Sequence, residues 1–171
     1  MRMDRRLTFY NTLADQGNNE KLGNYISGFV DGEGSFMVTI LRRKNYFTGW
    51  EVRPSFAVSQ NKNRAEILFL IKDTLKCGFV RENKSDNTLK YEARSLKELV
   101  GKIIPHFIKF PLLSSRKREF ELFKEICHRM QNGEHRKKDG LKEIIELSYK
   151  MNVGSKRKHQ KEEILNLISL V

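Results

Sequence analysis

The stretch YISGFVDGEGSF at residues 25–36 limits the possible folds to those in which a helix leads directly into a strand. Its first half has apolar residues at helical spacing, and an alternation of period two begins at Ser35. Asp31 and Glu33 fall at the predicted helix end, where the helix dipole favours cations over carboxylates. A bound cation would reverse the sign of that interaction at Glu33. The alternative is a glycine-capped surface turn, which tolerates both acids.

The composition indicates a globular and strongly basic chain. With 171 residues, of which 39% are hydrophobic and 10% aromatic, it is long enough for one domain with a sizeable core. Lys and Arg number 33 against 21 Asp and Glu, which gives a net charge of +12 and a pI near 9.8. This excess predicts salt-sensitive binding to a polyanion. No apolar run is long enough to span a bilayer, so we expect nucleic acid as the partner and no membrane.

The cysteines and the N-terminus bear on the compartment. Cys77 and Cys127 form no metal-binding or redox motif and lie in apolar patterns, so we expect buried free thiols in a reducing compartment. Residues 1–6 are basic but lack the apolar run of a signal peptide, and nearby acids argue against a transit peptide. We therefore expect a protein that is not secreted, in a prokaryotic cytoplasm or an organelle.

Hydrophobic periodicity predicts an α+β chain with the element order α-β-β-α-β-β-α and helices from there to the end. The predicted first helix covers residues 20–31, and the predicted strands cover residues 35–41, 50–60, 79–83 and 89–95. Because the strands come in hairpins, the sheet should be antiparallel. Asn63 with Glu66, and Ser95 with Glu98, have capping-box spacing and predict the starts of two further helices. Pro105 predicts a bend or stop in the second of these.

Three apolar stripes predict the C-terminal helices. They are Phe120, Phe123, Ile126, Cys127 and Met130, then Leu141, Ile144 and Ile145, and finally Ile164, Leu165 and Ile168. Between the last two stripes lies the basic run Lys156-Arg157-Lys158. Such a run is a solvated linker or, in a DNA-binding protein, a phosphate contact.

Residues 26–34, ISGFVDGEG, resemble the LAGLIDADG signature of homing endonucleases. Gly28, Asp31 and Gly34 match the signature identically, and Glu33 replaces its final acid conservatively. The β-β-α-β-β-α pattern that follows and the segment IPHFIKFPLLS at residues 104–114 are also similar to members of this family. The resemblance covers roughly residues 20–130, with residues 1–19 as a lead-in and residues 131–171 as a helical extension of the same domain.

The resemblance implies the αββαββα homing-endonuclease fold, with a four-stranded antiparallel sheet as a DNA-binding saddle and with C-terminal helices. The signature helices of this family pack against each other. Gly28 and Gly32 are four residues apart and leave one helical face without side chains. One signature in this sequence therefore implies a homodimer with a two-fold axis along the helix pair. The predicted interface is formed by Ile26, Gly28, Phe29 and Gly32. The alternative is that the glycines ease packing within a monomer.

The resemblance also implies a divalent-metal site at the base of the helix pair. Glu33 and the backbone carbonyl of Gly32 map to its ligands, and oxygen ligands with several waters suit Mg²⁺. We interpret Asp31 as a structural residue that anchors the helix end or turn, with a supporting role behind the metal ligands as the alternative. Gln60 and Arg64 match positions of polar and basic groups around the metals. The basic catalytic residue has three candidates, Lys109, Arg116 and Lys117, of which Arg116 occupies the usual position.

One face of the predicted sheet is almost wholly polar or small, and strand parity assigns its members. This set, which we call the polar face, comprises Met37, Thr39, Leu41, Arg43, Glu51, Arg53, Ser55, Ala57, Ser59, Phe79, Arg81, Asn83, Lys90 and Glu92, with Arg94 at its end. As a β-sheet reader, this face would enter the major groove, where Arg53 and Arg81 are candidates for guanine and Asn83 for adenine. The alternative is that these are solvated strand residues.

The resulting hypothesis is a Mg²⁺-dependent, site-specific double-strand DNA endonuclease that is homodimeric and encoded by an intron. Its target would be a long pseudo-palindromic duplex. Two alternatives remain open. An RNA maturase or a DNA-binding regulator of the same fold would bind without efficient cutting. A small basic protein of a ribonucleoprotein would use the positive charge alone.

Overall fold

Four strands and the helices that cover one of their faces build the structure, a computed structural model that describes residues 16–83, 86–151 and 157–170. The elements are α1 (Gln16–Glu33), β1 (Gly34–Arg42), β2 (Trp50–Asn61), α2 (Glu66–Leu75), β3 (Phe79–Asn83), β4 (Thr88–Ala93), α3 (Leu96–Glu98), α4 (Ile104–Lys109), α5 (Arg116–Gln131), α6 (Lys138–Met151) and α7 (Lys161–Leu170). Turns of 3₁₀-helix cover Lys62–Arg64 and Glu134–Arg136, and a π-helical turn covers Leu99–Ile103. Residues 1–15 of the predicted lead-in and Lys156 of the basic run lie outside the described residues.

The sheet has the strand order β1-β2-β4-β3, and every neighbouring pair is antiparallel. The predicted α+β fold with a four-stranded antiparallel sheet and C-terminal helices is therefore confirmed. Gly34 pairs with Val58 and Arg42 pairs with Trp50. β1 thus starts at the end of α1 and runs along the edge of the sheet to the first hairpin.

The apolar face of the sheet packs on the helices around Phe36. This side chain is 1% exposed. Its ring centroid lies 5.1 to 5.5 Å from the rings of Phe56, Phe107, Phe120 and Phe123. Aromatic pairs at such separations each contribute about 0.5–1.5 kcal/mol beyond their burial. Because Phe36 lies three residues after Glu33, this cluster fixes the start of β1, and with it the end of α1, against α4 and α5.

The starts of two helices differ from the predicted capping boxes. Asn63 lies in a 3₁₀ turn, where its N–H donates to the Asn61 side chain at 3.1 Å, and α2 begins at Glu66. Ser95 precedes α3 as predicted, but its side chain makes no capping hydrogen bond. At the π-helical turn the N–H of Ile104 donates to the carbonyl of Leu99, five residues back. The wider pattern comes directly before Pro105, which has no N–H, and the helix continues to Lys109 instead of stopping.

The C-terminal helices share the hydrophobic core of the sheet. Leu141, Ile144 and Ile145 of α6 and Ile164 and Ile168 of α7 are all 0% exposed and belong to the same core cluster as the sheet. Arg129 on α5 forms ion pairs with Glu125 at 3.1 Å, with Glu134 at 2.8 Å and with Glu143 on α6. A network of this kind constrains several side chains at once. α6 is therefore fixed to α5 by both apolar packing and charge.

Within the described ranges, no helix is both long enough and apolar enough to cross a bilayer. Cys77 and Cys127 are buried free thiols, as predicted.

Candidate functional site

Asp31 ties the end of α1 to the loop that precedes α5. Its Oδ2 accepts the N–H groups of Leu113 at 2.8 Å and Ser114 at 3.2 Å, and its Oδ1 accepts the Ser114 hydroxyl at 2.8 Å. One turn earlier, the Ser27 hydroxyl donates to the carbonyl of Phe110 at 2.7 Å. Hydrogen bonds to a charged acceptor are strong enough to offset the unfavourable helix dipole. The prediction that Asp31 has a structural role is confirmed.

Arg116 supports the same helix end with a positive charge. Its Nε donates to the carbonyl of Asp31 at 3.1 Å, and its Nη1 lies 3.6 Å from the Glu119 carboxylate. A guanidinium at a helix C-terminus is favoured by the dipole. Arg116 therefore holds the last turn of α1 in place.

Glu33, the last residue of α1, has an exposed carboxylate. None of the described residues hydrogen-bonds to it or forms an ion pair with it. Gly32 is also exposed, and its carbonyl lies in the last helical turn, where carbonyls lack a partner further along the helix. Across the described part of the chain, no group of three or more His, Cys, Asp or Glu residues is placed to hold a metal. A cation at Glu33 would thus need further oxygen atoms from water, from a phosphate or from a second copy.

The pairing of β1 with β2 ends at Gly34 and Val58, next to the end of α1, and Gln60 and Arg64 follow Val58 in the chain. Because Gly34 pairs with Val58, β2 continues past the start of β1. The Gln60 Oε1 accepts the N–H of the following residue at 2.7 Å, and Arg64 is exposed at the end of the next 3₁₀ turn. The fold thus brings the end of α1 and the end of β2 to one end of the sheet, as the predicted site requires.

The three basic candidates, which lie on α4 and α5, differ in where they lie relative to the end of α1. Arg116 contacts the helix end, and Lys117 follows it with an exposed side chain at the start of α5. The Lys109 ammonium lies 5.2 Å from the ring of Phe110. The carbonyl of Phe110 accepts a hydrogen bond from Ser27 of α1, which precedes Glu33 by about 9 Å along the helix axis. Of the three candidates, Arg116 is the one that contacts the helix end, and Lys117 is the exposed residue that follows it in the chain.

Gly28 and Gly32 leave about one turn of α1 without side chains on one face, and we call this stretch the glycine face. Both are exposed, and a Cβ on either would meet no atom within 4 Å. Phe29 is half-buried beside it, whereas Ile26 is 0% exposed and belongs to the core. The prediction that Ile26 lies at a subunit interface is therefore wrong, because its side chain is already buried within its own chain.

Two exposed apolar residues near the glycine face are not identified by sequence reasoning. Tyr25 is 56% exposed, and Leu113 is 89% exposed with its N–H bonded to Asp31. Tyr25, Gly28 and Gly32 have the spacing i, i+3, i+7, which is a signal that could have placed Tyr25 on this face. Leu113 has no local signal, because a hydrogen bond between distant residues determines its position.

The strand register places the predicted polar face on one side of the sheet. Thr39 pairs with Arg53, Ser59 pairs with Lys90, and Lys90 pairs with Arg81. The same register joins Met37 to Ser55, Leu41 to Glu51, Ala57 and Phe79 to Glu92, and Asn83 to Thr88. A groove of about 620 Å³ follows this face. Its lining includes Thr39, Arg53, Ser55, Arg81 and Lys90.

Two further residues belong to the polar face, and Arg43 lies just outside its strands. Asn61 and Thr88 pair with each other on this side of the sheet. They are absent from the prediction because the predicted strands end at Gln60 and begin at Leu89. Arg43 follows the last residue of β1 and belongs to the first hairpin.

Glu92 is buried on the polar face and holds three cations. It is 3% exposed, and its carboxylate lies 2.7 Å from Arg94, 3.3 Å from Arg81 and 3.8 Å from Lys90. Burial alone would raise the pKa of Glu92, but the hydrogen bonds from Arg94 and Arg81 and the charge of Lys90 hold it below its ordinary value. Glu92 therefore stays ionised and orients cations on this face.

Glu51 has a similar role near the first hairpin. Its carboxylate lies 2.9 Å from Arg53 and 2.9 Å from Arg43. Hydrogen bonds from Arg53 and Arg43 lower the pKa of Glu51. Arg53 is thus held toward Glu51 and still exposed.

Comparison with known proteins gives a family match over more than half of the chain. A family model described as "LAGLIDADG endonuclease" matches residues 26–127. The Neurospora crassa protein named "Probable intron-encoded endonuclease 2" is 33% identical over 132 residues, which cover 77% of this chain and 29% of that protein. The chain spans between about a quarter and three tenths of the length of three curated relatives that it matches.

Two solved structures are similar to the chain, which covers nearly all of one of them and about half of the other. The archaeal intron-encoded homing endonuclease I-Vdi141I, complexed with DNA, is 32% identical with a TM-score of 0.81, covering 91% of this chain and 98% of that chain. I-SmaMI, bound to an uncleaved DNA target in the presence of calcium ions, is 28% identical with a TM-score of 0.76. That match covers 86% of this chain and 48% of I-SmaMI.

Proposed function

The chain belongs to the LAGLIDADG endonuclease family, and we propose that two copies of it form a site-specific double-strand DNA endonuclease. Each copy would cut one strand by hydrolysis with a divalent cation, for which Mg²⁺ is the natural choice. The names of the curated relatives support an intron-encoded enzyme.

The contrast between the two acids at the end of α1 carries this proposal. Asp31 uses both oxygens in bonds to the loop before α5, whereas Glu33 is exposed and has no partner among the described residues. A second acid at a helix C-terminus is unfavourable unless a cation binds there. Since the family is one of endonucleases, hydrolysis of a phosphodiester is the reaction that this acid supports best.

Glu33 and the carbonyl before it would hold the divalent cation. Mg²⁺ accepts oxygen ligands and keeps several waters, which suits one carboxylate and one carbonyl from each copy. A cation bound there polarises the scissile phosphate and activates a bound water. The presence of calcium ions with DNA-bound I-SmaMI supports a divalent cation in this family.

The other residues at this end of the sheet have separate tasks in the proposal. Arg116 positions the last turn of α1 through the Asp31 carbonyl. Lys117 and Arg64, both exposed, bring positive charge to the phosphate on which negative charge develops. Gln60 provides an amide that can hydrogen-bond the attacking water.

The glycine faces would form the contact between the two copies. Small residues allow two helix backbones to approach closely, and a two-fold axis there brings the two Glu33 residues to the same end of the pair. Tyr25 and Leu113 would be removed from water in such a contact, which stabilises it by roughly 1.5–3 kcal/mol for a fully buried large side chain. The chain also corresponds to about half of I-SmaMI, as expected if two such units are needed.

The polar face has the length and charge to lie in the major groove. β2 has 12 residues, which span roughly 36 Å, close to the ~34 Å of one turn of B-DNA. Arg53 and Arg81 would read guanine and Asn83 adenine, while Glu92 orients Arg81. Two such sheets related by a two-fold axis would read two half-sites, so the target is long and pseudo-palindromic.

Glu33→Gln tests the assignment of the reaction. The duplex is first selected from a randomised library by binding to the wild-type protein and is then used for cleavage in Mg²⁺. We expect the cleavage rate to fall at least about 100-fold while binding is retained. Mutating a residue that only supports a metal ligand lowers activity about 10–100-fold, and the loss of a ligand itself should cost more. Glu20→Gln, an exposed acid on the same helix, is the matched control and should cleave normally. Wild-type cleavage by Glu33→Gln would overturn the assigned role.

A further inference from the structure

A second groove lies along the free edge of β1, away from the proposed cleavage site. It has a volume of about 340 Å³. Thr39 and Leu41 of the polar face line one side, and Arg157, Lys158 and His159 line the other. The C-terminal helices thus bring a basic segment, residues 157–159, to the border of the surface that is proposed to read DNA.

The basic segment is held at this edge by contacts at both of its ends. The Arg157 guanidinium lies 4.2 Å from the centre of the Tyr149 ring and donates to the carbonyl of Ser148 on α6. The carbonyl of His159 accepts the Tyr149 hydroxyl at 2.6 Å. The His159 ring stacks edge-on against Trp50 at 5.0 Å. The segment is therefore preorganised on β2 and α6 rather than free as a linker.

Lys158, between these two anchors, is exposed and forms no ion pair with any described residue. Arg42, on the neighbouring strand end, places its guanidinium 5.5 Å from the Trp50 ring. The carboxylate of the nearby Glu163 lies 3.6 Å from Nδ1 of His159 and forms no ion pair with Lys158. Lys158 is thus an unpaired cation held between two fixed residues, with Arg42 as a second cation on the same edge. Such an arrangement attracts an anion at low entropic cost.

Building on the proposed function, we propose that the basic segment binds the phosphate backbone of the target duplex in the outer part of each half-site. Thr39 and Leu41 lie five and seven residues after Gly34, which is roughly 16–23 Å along β1 from the cleavage end. At 3.4 Å per base pair this corresponds to about five to seven base pairs. The C-terminal helices therefore act as a clamp that extends the DNA contact beyond the polar face.

Binding of Lys158→Gln to the duplex selected by the wild-type protein tests the proposal. Lys158 is exposed, and Lys72→Gln on α2, also exposed, is the matched control. Each variant is titrated at several salt concentrations. In a further set of duplexes, one phosphate at a time is replaced by an uncharged methylphosphonate. The replaced positions lie about four to nine base pairs from the cleavage position, which includes the five to seven base pairs given by the spacing above.

We expect Lys158→Gln to reduce the slope of log K against log[salt] by about 0.9 for each copy, because one phosphate contact is lost. Neutralising the contacted phosphate should weaken wild-type binding and leave the variant unchanged, and Lys72→Gln should behave as wild type. An unchanged slope for Lys158→Gln, or additive losses at every phosphate position, would overturn the clamp while leaving the endonuclease intact. Failure of the wild-type protein to select any duplex would overturn both.

Discussion

Asp31 and Glu33 lie two residues apart on α1 but have different surroundings. The partners of Asp31 are Leu113 and Ser114, 82 and 83 residues further along the chain. The signature at residues 26–34 predicts a structural acid next to a functional one, but no local pattern identifies these partners. The same holds for the exposed Leu113, which only the long-range bond places beside α1. Residue roles that depend on distant contacts are therefore the part of the site that sequence reasoning leaves undetermined.

Removing the Asp31 carboxylate should weaken the folded state as well as the site. In Asp31→Ala, the N–H groups of Leu113 and Ser114 and the Ser114 hydroxyl lose their acceptor. We expect urea unfolding to show a loss of about 1–3 kcal/mol, in the range for hydrogen bonds to a charged group. Asp73→Ala, an exposed acid on α2, is the control and should change stability little. A loss below about 0.5 kcal/mol for Asp31→Ala would contradict the anchoring role.

His106 should make stability depend on pH. Its Nε2 is buried without a hydrogen-bond partner among the described residues, and burial lowers the pKa of His106 to about 4. An unfolded histidine titrates near 6.5. As the pH falls from about 6.5 to 4, the unfolded chain takes up a proton that the folded chain does not, so stability is lost over this range.

The difference in free energy of unfolding between wild type and His106→Leu isolates this effect from the carboxylates. Between pH 7.5 and pH 4, we expect wild type to lose on the order of 3 kcal/mol more of its free energy of unfolding than His106→Leu loses. Above pH 7 the two pH profiles should run parallel. A difference that does not vary with pH would show that His106 has an ordinary pKa in the folded state.

The helices and strands follow closely from the sequence, because periods of two and 3.6 are local properties. Strand parity alone predicts the members of the polar face, and the register confirms that they share one side of the sheet. The errors lie at element ends. A one-residue error at two strand ends hides Asn61 and Thr88, and the capping box expected at Asn63 gives way to a 3₁₀ turn. Parity also cannot show that Glu92 is buried among three cations, since that depends on the neighbouring strands.

Substitution of Gly28 tests whether two chains pair through the glycine face. Gly28→Leu adds a side chain whose Cβ meets no atom within 4 Å, and Gly101→Leu is a matched control at another exposed helical glycine where a Cβ also meets no atom within 4 Å. Replacing glycine in a helix stabilises it by roughly 0.5–1 kcal/mol, so neither substitution should prevent the single chain from folding. In sedimentation, we expect only Gly28→Leu to dissociate into single chains. Undiminished association of Gly28→Leu would exclude the glycine face as the contact.

For the whole molecule, composition and the signature predict the fold class, the family and a nucleic-acid partner, since these depend on net charge and on one short motif. The place of the C-terminal helices is not predictable in the same way. Their apolar stripes predict helices, but only the packing of α6 and α7 against the common core brings residues 157–159 to the edge of β1. A segment that reads as a charged linker thereby becomes part of the proposed DNA-binding surface.

We propose that two chains act together, each with one Glu33 and each on one strand. A mixed dimer of wild-type and Glu33→Gln chains tests this proposal, purified through two different tags and given a supercoiled plasmid that carries the selected duplex. The wild-type pair should convert the plasmid to the linear form. The mixed pair should cut one strand and stop at the relaxed circle. Linearisation by the mixed pair at the wild-type rate would show that a single Glu33 is enough to cut both strands.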